Sequence, residues 1–354
     1  MSKPITYQYK EPSTIQKHDG QEALFLSKYN EAKTEVAPCF FWGKLTQPYI
    51  ISRCLIALSN IVQSSFNLSP FQLALLKDPI VTAGNGKIRF EGFSHCAGVY
   101  ARVDVLPDAH DGEFLQNGTT NVDFNPPMIA ALSKVQKQES LVLSVGKKEV
   151  SLRKSGEKII ERKVPLPTKW LKGLTSVQLY LANSEPIFTL NKRDAILLIR
   201  SIPKGKIKND YYLIKRGNRL SFSPVQQKDT VCIGGLHRLR LLENLLPLAD
   251  ALQIYAHPQH QATSWQLSFG AVRFLLTLSR EVWRGFSGEG AALEALVEDV
   301  PMDWLERFDL FSYANQEFNP TLLAVEQGIA LPKIENLSAR LSAMGLLGYD
   351  LETN

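Results

Sequence analysis

Pro79-Ile80-Val81-Thr82-Ala83-Gly84-Asn85-Gly86-Lys87-Ile88-Arg89-Phe90-Glu91-Gly92-Phe93 is the stretch whose reading decides the fold. Two runs, Pro79–Ala83 and Lys87–Phe93, flank Gly84-Asn85-Gly86, and Asn and Gly accept the positive φ that a tight hairpin turn demands. Just downstream, Gly98–Leu106 alternates Val99, Ala101, Val103 and Val105 against Tyr100, Arg102 and Asp104. That period of two is the pattern of a half-buried strand.

Helices and further strands extend from this β structure in both directions. Upstream, Pro48–Phe66 places Ile51, Leu55, Leu58 and Val62 at helical spacing, and Ser69-Pro70 opens a second helix with a capping Ser and Pro at the first position. Downstream, Pro107–Gly112 is turn chemistry, Thr119–Phe124 reads as a strand, and Asn125-Pro126-Pro127 opens a helix to about Val135. Three short strands reach Val164, and Pro165 and Pro167 mark a boundary. Helices follow around Trp170–Leu181 and Asn191–Ser201, with strands at Tyr211–Lys215, Arg219–Phe222 and Thr230–Ile233. An amphipathic helix is expected over Leu236–Leu246, a strand near Leu252–Tyr255, and a hairpin pairing Trp265–Phe269 with Val272–Leu278.

From Gly288 the pattern is helical. A helix over Asn319–Glu326, a turn at Gly328, a helix over Leu331–Met344 and a strand over Gly345–Leu351 follow the order of a winged helix-turn-helix. The chain stops where a wing would turn back. Its second helix offers only Lys333, Asn336 and Arg340 amid acidic surroundings, which suits a structural or protein-binding unit better than a DNA reader. The expected fold class is α+β. The expected domains are an α+β domain over 1–164, an α/β domain over 165–285 and an incomplete winged-helix-like segment over 286–354.

At 354 residues, 44% hydrophobic and 21% charged, the chain can bury two or three cores. Its start lacks the features of a signal peptide, and no window approaches the ~20 apolar residues of a membrane span. Cys39, Cys54, Cys96 and Cys232 are scattered singly, which fits reduced thiols in a cytoplasmic protein without a membrane partner. The formal charge of +5 hides an asymmetry. Residues 146–219 hold 18 Lys or Arg against six Asp or Glu, while residues 281–354 hold four against 13. The basic middle could meet a polyanion, or the acidic end could neutralise it.

The densest polar cluster joins Arg102, Asp104, Asp108, His110 and Asp111 to Thr119, Thr120, Asn121, Asp123 and Asn125. If its two strands pair, carboxylates and a guanidinium converge, which would suit a hard cation or a cationic peptide. Asp, Asn and Thr also build hydrogen-bonded strand-and-turn networks, and this structural reading is the favoured one. Arg284, Ser287 and Gly288 precede a helix whose free amides could hold an anion, but Glu289 would repel phosphate and a capped turn explains them better. His257 and His260 have no third ligand nearby, and His95-Cys96, as strand neighbours, would point to opposite faces. No catalytic residue, metal site or cofactor is expected.

Several runs resemble a known family. They are Arg89–Ser94, Gly98–Asp108, Gly118–Pro127, Glu161–Pro167 with Trp170–Gly173, and Arg284–Gly290. In order and wording they resemble the amino-terminal region of bacterial SWIM zinc-finger proteins, over nearly the whole chain. The resemblance implies a non-enzymatic adaptor working beside a MoxR-type AAA+ ATPase or a von Willebrand A-domain protein. The family's Cys-x-Cys…Cys-x-His finger would lie beyond the matched region and has no counterpart here, so its zinc is carried over to no residue. The alternative is weak nucleic-acid binding through the basic middle, and an unrecognised hydrolase comes third.

Overall fold

Asn85 and Gly86 carry the expected turn with φ of 53° and 70°, and the strands on either side zip from Gly84 opposite Lys87 to Ile80 opposite Glu91. The computed structural model describes residues 8–9, 14–18, 21–25, 29–30, 39–64, 79–154, 156–164, 168–205, 207, 209–217, 219–259, 261–281, 285–287, 296, 301, 304, 308 and 317–351. The chain divides into two compact units, Met1–Pro38 and Cys39–Asn354. In the first, β1 (Gln8–Tyr9), β2 (Thr14–His18), β3 (Gln21–Phe25) and β4 (Tyr29–Asn30) form two antiparallel ladders, β1 with β4 and β2 with β3.

The second unit continues with β5 (Cys39–Leu45), β6 (Ile80–Gly84), β7 (Lys87–Phe93), β8 (Val99–Val105), β9 (His110–Phe114) and β10 (Gly118–Asn121). Next come β11 (Leu141–Gly146), β12 (Glu149–Lys154), β13 (Glu157–Arg162), β14 (Glu185–Asn191), β15 (Tyr211–Arg216), β16 (Arg219–Ser223) and β17 (Val231–Ile233). The last three are β18 (Ala251–Ala256), β19 (Ala262–Phe269) and β20 (Val272–Ser279). The helices bounded within the described residues are α1 (Pro48–Gln63), α2 (Pro126–Ser133), α3 (Thr168–Ala182), α4 (Lys192–Arg200), α5 (Pro320–Gln327) and α6 (Leu331–Ala343).

This is an α+β protein built on antiparallel sheets. Eight strands run in the order β10-β6-β7-β8-β20-β19-β18-β14, five in the order β13-β12-β11-β5-β9, and three in the order β16-β15-β17. α1 begins at Pro48, whose ring suits the first helical turn, and buries Ile51, Leu55, Leu58 and Val62. The helix packs on β7 and β8. Removing Leu58 to Ala would cost about 2–5 kcal/mol, because the sheet beneath could not close the gap.

Several expectations change once the chain is folded. The boundary expected at 164–165 runs through the large sheet, because β8 pairs with β20 from Val105 opposite Val272 to Val99 opposite Leu278. The strand expected to be half-buried is buried at every residue of β8, because both of its faces are covered. Leu236–Leu242 and Leu246–Leu248 form 3-10 turns instead of one amphipathic helix, and Pro247 in the second lacks the amide an α-helix would use. Residues 107–109 form a 3-10 turn, but the expected turn then becomes β9. The helix expected after Ser69-Pro70 and the one expected after Gly288 lie outside the described residues.

Near the end, the helix–turn–helix pair is present. Asn319 caps α5 by accepting from the amides of Thr321 and Leu322 at 2.9 and 3.2 Å, and Gly328 ends it at φ 64°. The segment from Gly345 to Leu351 forms no strand. Instead the Tyr349 amide donates to Gln178 Oε1 of α3 at 2.9 Å, and Leu351 is buried in the main core.

Candidate functional site

The cluster drawn together in sequence separates into three places. β8 and β10 do not pair, since β6 and β7 lie between them. Cross-strand registers nevertheless put both on one face of the sheet: Asp104 lies opposite Arg89, Arg89 opposite Thr82, and Thr82 opposite Thr119. A parallel row joins Arg102, Glu91, Ile80 and Asn121. Three strand spacings, about 14 Å, separate the ends of each row. Convergence of all the carboxylates on one cation is thereby excluded.

The centre of the first place is Asp104, 4% exposed, which Arg89 and Arg102 share. Arg89 Nε lies 2.6 Å from its Oδ1 and Arg102 Nε 2.7 Å from its Oδ2. Next to them, the Tyr100 hydroxyl donates to Glu91 Oε1 at 2.6 Å. Burial pushes the Asp104 carboxyl up, but the guanidiniums of Arg102 and Arg89 outweigh it and hold the group below the usual carboxylate range. Burial likewise works against charge on Arg89, and Asp104, Glu91 and Tyr100 outweigh it, so Arg89 is held more firmly protonated than usual. Burial first, and Glu91 second, push the Tyr100 hydroxyl well up. Asp104 is thereby held ionised and Arg89 protonated beside it.

The chain end closes this network. Arg102, fully buried, donates through Nη1 to the Tyr349 carbonyl at 3.0 Å, and its Nη2 lies 4.0 Å from Asp350 Oδ1. Lys87 pairs with Glu317 at 2.8 Å and with Asp350 at 3.6 Å. A cleft of about 220 Å³ opens there, lined by Lys87, Arg89, Glu317, Ser338, Tyr349 and Asp350 among others. Its cations face carboxylates of the same chain. The arrangement is suited to holding the last helices against the sheet.

The second place is the contact of Asn121, Asp123 and Asn125 with β13 and the residues after it. Asn121 Nδ2 donates to the Val164 carbonyl, and Asn125 donates through its amide and Nδ2 to the two oxygens of Glu161 at 3.1 and 2.8 Å. Burial raises the Glu161 carboxyl, while the Asn125 bonds work the other way. Asp123 Oδ1 is buried without a hydrogen-bond partner among the described residues. Thr120 Oγ1 donates to the Lys147 carbonyl at 3.4 Å, while Thr119 is exposed and shares a hydrogen bond of 3.0 Å with Thr82.

The third place is the turn carrying Asp108 and Asp111, both exposed, with His110 Nε2 2.8 Å from the Gly86 carbonyl. Of the candidate anion site, Arg284 and Gly288 lie outside the described residues. Ser287 ends a three-residue 3-10 turn, Gly285–Ser287, whose Phe286 amide donates to the Ala97 carbonyl at 2.8 Å. His260 also lies outside the described residues, His257 stacks edge-on against Tyr180, and His95-Cys96 sits in the turn between β7 and β8 rather than on a strand. Among the described residues, no three His, Cys, Asp or Glu side chains gather where a metal ion could be held.

Sequence reasoning missed Arg89, Glu91, Tyr100 and Asp350. A signal for the first three was present, because Arg89, Glu91 and Phe93 alternate along β7 as Tyr100, Arg102 and Asp104 do along β8. Antiparallel pairing brings such sets face to face.

Among the described residues, no helix is long and apolar enough to cross a membrane. No protein-family model matches the chain, and no curated protein sequence matches it. Solved structures do match, among them proliferating cellular nuclear antigen from Entamoeba histolytica, at 11% identity and a TM-score of 0.46, over 68% of this chain and 98% of that one.

Proposed function

We propose that the chain is a non-enzymatic interaction module of the SWIM type, acting as an adaptor for a MoxR-type AAA+ ATPase or a von Willebrand A-domain protein. The observation that carries this reading is apolar surface at the chain end. Leu322 and Val325 on α5 are 63% and 77% exposed, and Met344 and Leu346 after α6 are 49% and 65% exposed. Leu322 and Val325 lie one turn apart on α5, and exposed apolar pairs of this kind mark contact sites for other proteins. The ion network behind them holds that surface to the sheet, which gives the buried cluster a supporting role. The resemblance along the chain supplies the class of partner.

Affinity capture of the full chain from its native host tests the reading. Recovery of an AAA+ ATPase or a von Willebrand A-domain protein, lost with Leu322→Ser and Val325→Ser together, is expected. Capture of neither, or capture undiminished in the folded double variant, would overturn it.

A second reading, weak nucleic-acid binding, is favoured by a different observation. Lys147, Lys148, Arg153, Lys158, Arg162 and Lys163 are exposed on or beside β11–β13, and Lys215, Arg216 and Arg219 at the β15–β16 turn. These groups belong to two different sheets, so the basic middle presents two patches.

A further inference from the structure

The outer face of the five-stranded sheet combines features that the basic middle alone does not have. Trp42 on β5 is 57% exposed, an unusual position for the largest aromatic side chain. Strand registers place it in a row with Ser144, Ser151 and Ile160, and put Lys44, Val142, Arg153 and Lys158 in the next row on the same side. Arg162 opposite Glu149 continues the alternation. The opposite face carries Phe41, Leu45, Leu143, Val145 and Leu152, all in the core.

Between Trp42 and Ile160 stand two serines, Ser144 half-buried and Ser151 buried, and the Glu149–Lys158 pair reaches across the Ser151 row. By the usual strand spacing Trp42 and Ile160 stand about 14 Å apart. Over β5, β11, β12 and β13 the face holds four cations against the single carboxylate of Glu149, which lies 3.6 Å from Lys158. Lys44, Arg153 and Arg162 make no ion pair among the described residues. On β9, Glu113 lies directly opposite Trp42 and Asp111 directly opposite Lys44, the acidic border of the face.

We propose that this face binds single-stranded nucleic acid, with Trp42 stacking on a base and Lys44, Arg153, Lys158 and Arg162 meeting the phosphates. The inference rests on the nucleic-acid reading and adds what that reading lacks: one of its two patches, the strand type and a stacking residue outside the basic middle. Exposed indole beside a row of cations is the combination that single strands use, since every base offers a π-face and every nucleotide a phosphate. A duplex hides those faces in its stack. An acidic protein segment would satisfy the cations and leave the open indole without a role.

Titration of a labelled 15-nucleotide oligothymidine with the full chain, by fluorescence anisotropy at several salt concentrations, tests the proposal. Binding at low salt is expected, with a log–log salt slope of about −3 if four phosphates are met. Trp42→Ala should weaken it about tenfold or more and Trp42→Phe should retain most of it. The pair Arg153→Glu and Arg162→Glu should weaken it further, and a duplex of the same length should bind less well.

Two controls separate the failures. If the wild type binds and only Lys215→Glu with Arg219→Glu weakens it, the site is on the other patch, and this proposal falls while the nucleic-acid reading stands. No binding at low salt overturns both. Competition by polyglutamate as effective as by oligothymidine, with Trp42→Ala indifferent, would assign the face to an acidic protein and sink the proposal.

Discussion

Arg102 and Arg238 are both wholly buried, yet the protein neutralises them in opposite ways. Arg238 lies in the 3-10 turn after Gly235 and donates to backbone carbonyls, those of Gly98, Gly234 and Ser279, the last two at 2.6 Å. Among the described residues it makes no ion pair, and burial pushes its pKa down to about 10. It ties the turn before β8 to the end of β20, a purely structural joint. Arg102 instead lies on a strand face against Asp104 and reaches a carbonyl 247 residues away. Both guanidiniums link backbone distant in sequence, Arg238 reaching Gly98 and Arg102 reaching Tyr349. Only the one that also leans on a carboxylate, Arg102 on Asp104, has a strength that depends on pH.

The largest expected effect is at the shared anion. Asp104→Ala leaves two guanidiniums facing each other without their counter-charge and should cost about 3–5 kcal/mol in chemical denaturation. A loss under about 1 kcal/mol would mean the network relaxes or hydrates, and the contrast with Arg238 would vanish. Arg238→Met comes next, at about 2–3 kcal/mol. It leaves carbonyls short of donors, although Gly98 keeps the Ser279 amide at 3.1 Å. A cost equal to that of Asp104→Ala would break the comparison from the other side.

Acid sharpens it. The folded-state value of Asp104 is depressed, so its stabilisation is complete above the usual carboxylate range and disappears as pH falls through the lowered value. Stability measured from pH 6 to pH 2 should therefore fall more steeply for the wild type than for Asp104→Asn. Arg238→Met should keep the wild-type slope, because Arg238 does not titrate there. Parallel slopes for the wild type and Asp104→Asn would show that Asp104 holds no extra charge stabilisation. The smallest effect is expected at the exposed turn, where Asp108→Asn and Asp111→Asn should leave the melting temperature unchanged. A clear fall in either variant would return the turn to the network.

The local patterns were legible where one short segment carries its own signal. The Asn85-Gly86 turn, the α1 stripe and the Trp265–Phe269 with Val272–Leu278 hairpin all follow from spacing and turn chemistry alone. β5 and β14 escaped that reading. Phe40-Phe41-Trp42 mixes buried and exposed aromatics, and Pro186 interrupts the second run. Part of the site was readable as well. Arg102 and Asp104 share a face as their spacing demands, whereas Asp108 and Asp111 were joined to them only by closeness in sequence.

Alternation by itself determined which side chains of β8 share a face, since successive residues of a strand point to opposite sides. What covers that face was decided only by the fold. Arg102 and Asp104 look like solvent residues until Tyr349 and Asp350 reach Arg102, and no local rule reports a partner 247 positions away. Strand order was equally beyond reach, because pairing between β8 and β20 depends on which edges meet after collapse. The period of a strand is a property of its own covalent geometry. Its neighbours are chosen by the free energy of the whole packed sheet.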